Sequence, residues 1–163
     1  MHKLLLIISV WIHLFAAVVW IGGLFFILFV ALPSAKKTLE QAGSFMGALS
    51  KRFVPLANIS ILLIFVTGIF MSLSSQSLSE ITSLGSLWSK MLLAKIMMVL
   101  IMIVIHLYRG LVLTPKVSKL TAQGERSVEV GGLQRLSLNL VKANFLFGLT
   151  VLLLTGMLYA YKV

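Results

Sequence analysis

Four long apolar runs leave this chain of 163 residues little freedom in how it can fold. They cover approximately Lys3–Leu32, Val54–Leu73, Trp88–Leu113 and Leu136–Tyr161. About 20 apolar residues allow a helix to cross the roughly 30 Å hydrocarbon core of a bilayer. A helix also satisfies its backbone hydrogen bonds internally, as lipid requires. The sequence therefore predicts an all-α integral membrane protein, a single bundle of four transmembrane helices over residues 1–163.

The composition leaves no room for a soluble domain, because 60% of the residues are hydrophobic and 11% are charged. The first run is longer than the apolar part of a secretory signal and has no basic segment before it. We therefore expect a retained helix rather than a cleaved one. The chain has no cysteine, which excludes disulfides, thiolate metal sites, iron–sulfur clusters and covalent c-type haem.

Most of the formal net charge of +10 lies in the connections after the first and third runs. The Ser-rich connection after the second run, "SSQSLSEITSLGSLW", has almost no cation. Basic loops stay on the cytoplasmic side. We therefore expect a multi-pass protein of the inner (cytoplasmic) membrane with both termini outside. The lipid bilayer is the expected partner, and nucleic acid is not. The basic residues assigned to the connections after the first and third runs are Lys36, Lys37, Lys51, Arg52, Arg109, Lys116, Lys119, Arg126 and Arg135.

The two halves of the chain resemble each other weakly. Pro33 follows the first run in "LPSAKK", and Pro115 follows the third in "TPKVSK", where we expect proline to end the helix. The second run contains "AN…LLIFVTG" and the fourth contains "AN…LLLTG". This pattern predicts two pseudo-repeated helical hairpins in the same orientation, related by an axis along the membrane normal. The alignment places His13 opposite Lys95, at one depth in the bilayer.

Three ionisable residues within the apolar runs stand out: His13, Lys95 and His106. Such residues are costly in a membrane and are candidates for function by default. Lys95 and His106 are separated by about 16 Å along a helix and share one of its faces. That face must point into the bundle, because lysine will not face lipid at this depth. Its members are Met91, Lys95, Met98, Met102 and His106.

His13 is a candidate haem ligand. A haem in a helix bundle needs an imidazole, apolar walls and a cation or donor for its propionates. Lys95 could bind a propionate, donate a proton or act as a second ligand, whereas His106 is too far along the axis and would need a second haem. Small neighbours leave space beside the imidazole, but they equally allow close helix packing. The neighbours on this face are Ala16, Ala17, Trp20 and Gly23 or Leu24.

Copper is the alternative ligand, because thioethers and imidazole suit Cu(I). Met98, Met102 and His106 lie on successive turns, and His2 at the outer surface could receive the ion. Structural roles are open as well. Methionine fills irregular cores, His13 would serve as a hydrogen-bonded core residue, and His106 would serve as an interfacial one.

Two stretches, "WIHLFAAVVWIGGLFFILFVALP" and "LWSKMLLAKIMMVLIMIVIHLYRG", resemble the copper-resistance D (CopD) domain proteins and the related HemJ-type protoporphyrinogen oxidases. The segments "WIGGL" and "MLLAK" resemble the CopD side, whereas H-x6-W and K-x10-H-x-Y resemble the HemJ side. The HemJ resemblance implies b-type haem with functional residues matched by His13 and Lys95, and the CopD resemblance implies copper uptake or tolerance. The segments "FILFVALPS" and "LNLVKANF" depart from the HemJ pattern.

These observations favour a b-type haem membrane protein in electron transfer, with either one haem at His13 or two haems, the second at His106. Lys95 is then the catalytic candidate, and a quinone or a respiratory complex is the redox partner. Two alternatives are a CopD-like copper transport or resistance protein and a HemJ-like protoporphyrinogen IX oxidase. A homodimer is left open by the apolar faces of the second and fourth runs.

Overall fold

The computed structural model describes residues 2–38, 42–74, 85–122 and 128–161, which are almost entirely helical and include no strand. Four helices are long and apolar enough to cross a membrane, which confirms the predicted all-α membrane fold with four spans. The side chain of His2, Arg126 and most of the Ser-rich connection lie outside the described residues. The spans are Lys3–Thr38, Ala42–Ser74, Leu87–Ala122 and Val128–Ala160.

Each of the four continuous helical spans is longer than the apolar run that predicts it. Hydropathy marks only the part that suits lipid, whereas the helical hydrogen-bond pattern continues into the polar flanks. Helix α3, for example, begins at Ala42 rather than at Val54. The elements in chain order are α1 His2–Phe26, a π-helical segment Ile27–Ala31, α2 Leu32–Thr38, α3 Ala42–Ser74, α4 Leu87–Tyr108, a second π-helical segment Arg109–Leu113, α5 Thr114–Ala122 and α6 Val128–Ala160.

The expectation that Pro115 ends its helix is wrong, because the chain stays helical to Ala122. A proline ring inside an α-helix clashes with the carbonyl four residues earlier. Here a π turn precedes the proline, and the Thr114 N–H bonds to the carbonyl of Arg109. The extra residue in a π turn moves the preceding carbonyls out of their α-helical register. The helix therefore passes the proline without ending.

The same arrangement occurs before Pro33, where the Leu32 N–H bonds to the carbonyl of Ile27. The two π segments begin at positions 27 and 109, an offset of 82 residues. Pro33 and Pro115 have the same offset, as do His13 and Lys95. The hairpin repeat stays a prediction, and the matching π segments add a structural parallel to it.

The chain divides into two compact units, Met1–Leu93 and Ala94–Val163, and the single-domain arrangement stays a prediction. In the first unit, α1 packs against α3 through a buried face with a spacing of three and four residues. Large apolar side chains on the other faces are exposed, as expected for a protein with lipid as its solvent. The buried face consists of Ala16, Trp20, Leu24, Ile27, Ala31 and Ala35.

In the second unit, α6 buries one face that includes Val141, Asn144, Phe145 and Gly148. The Asn144 side chain bonds to the backbone of α4. Lys116 at the start of α5 forms an ion pair with Glu129 of α6 at 3.0 Å. Both of these side chains are exposed, so the pair contributes little stability.

Gly23 marks a close approach of α1 to α3. A side-chain carbon at Gly23 would collide with the ring of Phe53, whereas one at Gly22 meets nothing within 4 Å. We expect Gly23→Ala to destabilise the protein by roughly 1–3 kcal/mol through overpacking. Thermal unfolding in detergent measures this loss, with Gly22→Ala as the matched control. Equal midpoints for the two variants would contradict the predicted packing.

Candidate functional site

His13 lies half-buried on α1 and faces α3. Its Nδ1 is 2.8 Å from Oγ1 of Thr67, and that hydroxyl donates its proton to the carbonyl of Leu63. Because a hydroxyl has one proton, His13 must be the donor in the contact with Thr67. In the neutral imidazole this leaves Nε2 as the unprotonated nitrogen. Thr67 therefore selects the tautomer in which Nε2 can act as a metal ligand.

Gly68, the residue after Thr67, lies beside the His13 ring. A side-chain carbon at Gly68 would lie 3.6 Å from Cε1 of His13, so the backbone of α3 passes close to the ring. Ala16 and Trp20 on the same face of α1 are buried. The close approach at Gly68 fits helix packing through small residues, and whether the small neighbours of His13 on α1 also leave space for a cofactor stays a prediction.

Lys95 is half-buried on α4 and belongs to the second unit, whereas His13 belongs to the first. Among the described residues of its own unit, Lys95 has no ion-pair partner. The pairing of His13 with Lys95, expected from their equal depth, stays a prediction.

The other predicted residues of α4 lie on an inward face. Met102 is 1% exposed and His106 is 6% exposed, while Met98 is half-buried. Met97, its neighbour in sequence, is 50% exposed and lies on the opposite side. His106 lies in the last turn of α4, and the helical chain continues past it through the second π segment and α5 to Ala122. A thioether and an imidazole are therefore buried one turn apart in the second unit.

Asn144 binds to this same turn of α4. Its Nδ2 donates to the carbonyl of Met102 at 3.2 Å, and the residue is 3% exposed. Its Oδ1 is buried and accepts no hydrogen bond from the residues that the structure describes.

Sequence reasoning missed both Thr67 and Asn144. The signal that could have found them is a polar side chain in an apolar helix, because such residues hydrogen-bond across helices. Thr67 and Asn144 each lie in one of the two repeated motifs, "TG" and "AN". Their partners could not be read from the sequence, because they depend on the register of neighbouring helices.

The donor set of the second unit suits a soft cation. Within the described ranges, no three side chains among His, Asp and Glu come together to hold a metal. A metal bound there would need the thioethers of Met98 and Met102 beside the imidazole of His106. Cu(I) is the biological metal that accepts such neutral, soft ligands.

Thr67→Val should destabilise the protein by about 1–3 kcal/mol, because the His13 N–H would lose its buried acceptor. Chemical unfolding in detergent measures the change. Thr150→Val is the matched control, since the Thr150 hydroxyl donates within α6 to the carbonyl of Leu146. A double-mutant cycle with His13→Leu should show coupling of the two residues. Additive effects would contradict the contact.

Comparison with known proteins places the chain in a family. A family model described as copper resistance protein D (CopD) matches residues 47–158, more than half of the chain. The matched region includes Thr67, Lys95, His106 and Asn144, whereas His13 lies before it. A search of curated proteins and a search of solved structures found no match to the chain. The relation to the HemJ-type oxidases stays a prediction. This chain is a multi-pass membrane protein that belongs to the copper resistance protein D family.

Proposed function

We propose that the protein binds Cu(I) inside the bilayer and moves it through the membrane, in copper uptake or tolerance. One observation carries this proposal: Met102 and His106 are buried one turn apart on the same face of α4. Membership in the copper resistance protein D family supports it. The copper ion is the cargo of this activity.

The chemistry of the ligands suits a monovalent ion in lipid. Thioether and imidazole are neutral, so the bound ion keeps a single charge, and each ligand replaces part of the lost hydration. The chain has no Asp, and all four of its Glu residues lie outside the predicted apolar runs. The predicted apolar runs therefore contain no carboxylate that could bind a hard cation within the bilayer.

The spacing of the ligands provides a path. Met98, Met102 and His106 follow one another at four-residue intervals, a rise of about 6 Å each. Met102 can share the ion with Met98 on one side and with His106 on the other. An ion can therefore pass between neighbouring sites without losing all of its ligands at once. Lys95 lies one turn before Met98. While its amine is protonated, Lys95 repels a bound cation, so the ion is held preferentially at the His106 end of this row of ligands.

The double replacement Met98→Leu/Met102→Leu should lower Cu(I) affinity at least about tenfold, or roughly 1.4 kcal/mol. Leucine conserves the volume of methionine, so the fold should persist. Competition with a chromogenic Cu(I) chelator in detergent measures the affinity. Met97→Leu is the control, because this neighbouring side chain is exposed on the other side of α4. Wild-type affinity in the double variant would refute the copper site.

The same variants test transport in cells. Cells that produce the wild type or Met97→Leu should accumulate copper to the same level and tolerate it equally. Cells that produce the double variant should match cells without the protein.

A second candidate function is b-type haem binding for electron transfer. The observation that favours it is the bond from His13 to Thr67, which leaves Nε2 as the nitrogen able to bind iron. The haem would supply one-electron redox chemistry, with a quinone or a respiratory complex as partner. Lys95 would bind a haem propionate. If the protein is instead a protoporphyrinogen IX oxidase, Lys95 would act on the substrate. His106 would hold a second haem.

His13→Ala should remove the b-type signal from the reduced-minus-oxidised spectrum of protein purified from haem-supplied cells. Thr67→Val should keep the signal and shift its midpoint potential, because the bond to Nδ1 tunes the basicity of the ligand. His106→Ala is the control that reports a second haem. A spectrum without a Soret band in the wild type would remove this candidate.

We also propose that the protein sits in the inner membrane with both termini outside. The positive-inside pattern supports this orientation. Lys36 and Lys37 in the last turn of α2 are exposed, as are Lys51 and Arg52 in the first part of α3.

A further inference from the structure

The side chain of Asn144 is satisfied on one side only. Its Nδ2 donates to the Met102 carbonyl at 3.2 Å, while its Oδ1 accepts no hydrogen bond from the described residues. The residue is 3% exposed. A buried polar atom without a partner costs about 1–3 kcal/mol, and a leucine here would avoid that cost. Oδ1 can therefore accept a hydrogen bond from a donor on a neighbouring side chain.

His106 lies one turn after Met102 on the same face of α4 and carries a side-chain N–H donor. Side chains on a helix lie over the turn that precedes their own Cα atom. The His106 imidazole therefore lies over the turn of Met102, to which Asn144 is bonded. Tyr108 is exposed. Arg109 carries the next charged donor, about 10 Å along the axis from Met102.

We propose that Asn144 is a positioning residue for His106 in the copper-bound protein. Its Oδ1 accepts the N–H of one imidazole nitrogen, and the other nitrogen binds Cu(I). This inference rests on the proposed copper function and deepens it. Histidines that bind metals almost always donate their second ring N–H to a carboxylate, a carbonyl or a water.

The two ends of the Asn144 amide have separate tasks in this arrangement. Nδ2 fixes α6 to the backbone of α4, which sets the position of the amide relative to Met102. Oδ1 then holds the tautomer and the orientation of the His106 ring. The thioether of Met102 and the imidazole of His106 are thereby presented to one ion.

Three variants test the proposal with Cu(I) alone as the probe. Asn144→Leu removes both hydrogen-bonding groups and should lower Cu(I) affinity about 10- to 100-fold. Asn144→Asp should restore affinity close to wild type, because a neutral carboxylic acid donates to the Met102 carbonyl and offers an acceptor to His106. Asn139→Leu, an exposed position on the same helix, is the control and should bind as the wild type does.

A double-mutant cycle shows whether Asn144 acts through His106. In the His106→Ala background, Asn144→Leu should cause no further loss of affinity. An equal loss of affinity in both backgrounds would overturn the proposal. That result is expected if Arg109 is the donor or if Asn144 serves the fold alone.

The failure of this proposal differs from the failure of the copper function. Wild-type affinity in Asn144→Leu, beside weakened binding in Met98→Leu/Met102→Leu, overturns the positioning role and leaves the copper function. Wild-type affinity in both variants removes the copper function and this proposal with it.

A spectroscopic measurement answers the same question if Asn144→Leu does not fold. The chain has three histidines, so nitrogen-15 labelling of histidine gives few NMR signals. Adding Cu(I) should produce a hydrogen-bonded ring N–H signal that is missing in His106→Ala and shifted in Asn144→Asp. Addition of Cu(I) without such a signal overturns the proposal.

Discussion

In each unit a cross-helix hydrogen bond holds a polar side chain inside an apolar pair of helices. His13 donates to Thr67 in the first unit, and Asn144 donates to the Met102 carbonyl in the second. Lipid gives apolar helix faces little reason to associate, so close packing and such polar contacts select the partner. Each bond also lies beside the residues that could bind a metal. The contacts that specify the helix pairs are therefore the ones that prepare the candidate sites.

Helix continuity is the second constraint on the structure. Both prolines that follow an apolar run are passed by a π turn, and the chain stays helical beyond them. Lys36 and Lys116, which follow these prolines, therefore lie on helices rather than in loops.

The two candidate functions use different units. The copper proposal uses Met98, Met102 and His106, which the family match includes. The haem proposal uses His13, which precedes that match and whose tautomer is selected by Thr67. Neutral soft ligands and the lack of intramembrane carboxylates favour copper as the leading reading. Asn144 contributes to the fold through its bond to α4, and the proposal gives its Oδ1 a role beside the copper ligands.

The sequence by itself determined the four spans, because the free energy of transfer into lipid is a local property of an apolar run. It also singled out His13, Lys95 and His106, since a polar group in such a run is costly wherever the helix packs. Only the tertiary structure decided that Thr67 is the partner of His13 and that Asn144 is bonded to the Met102 turn. Only the structure likewise decided that the helices continue past Pro33 and Pro115, because a helix that continues through a π turn and a helix that ends there have the same local hydropathy. Partners depend on which helices are neighbours and on their register, and neither is encoded in the periodicity of one helix.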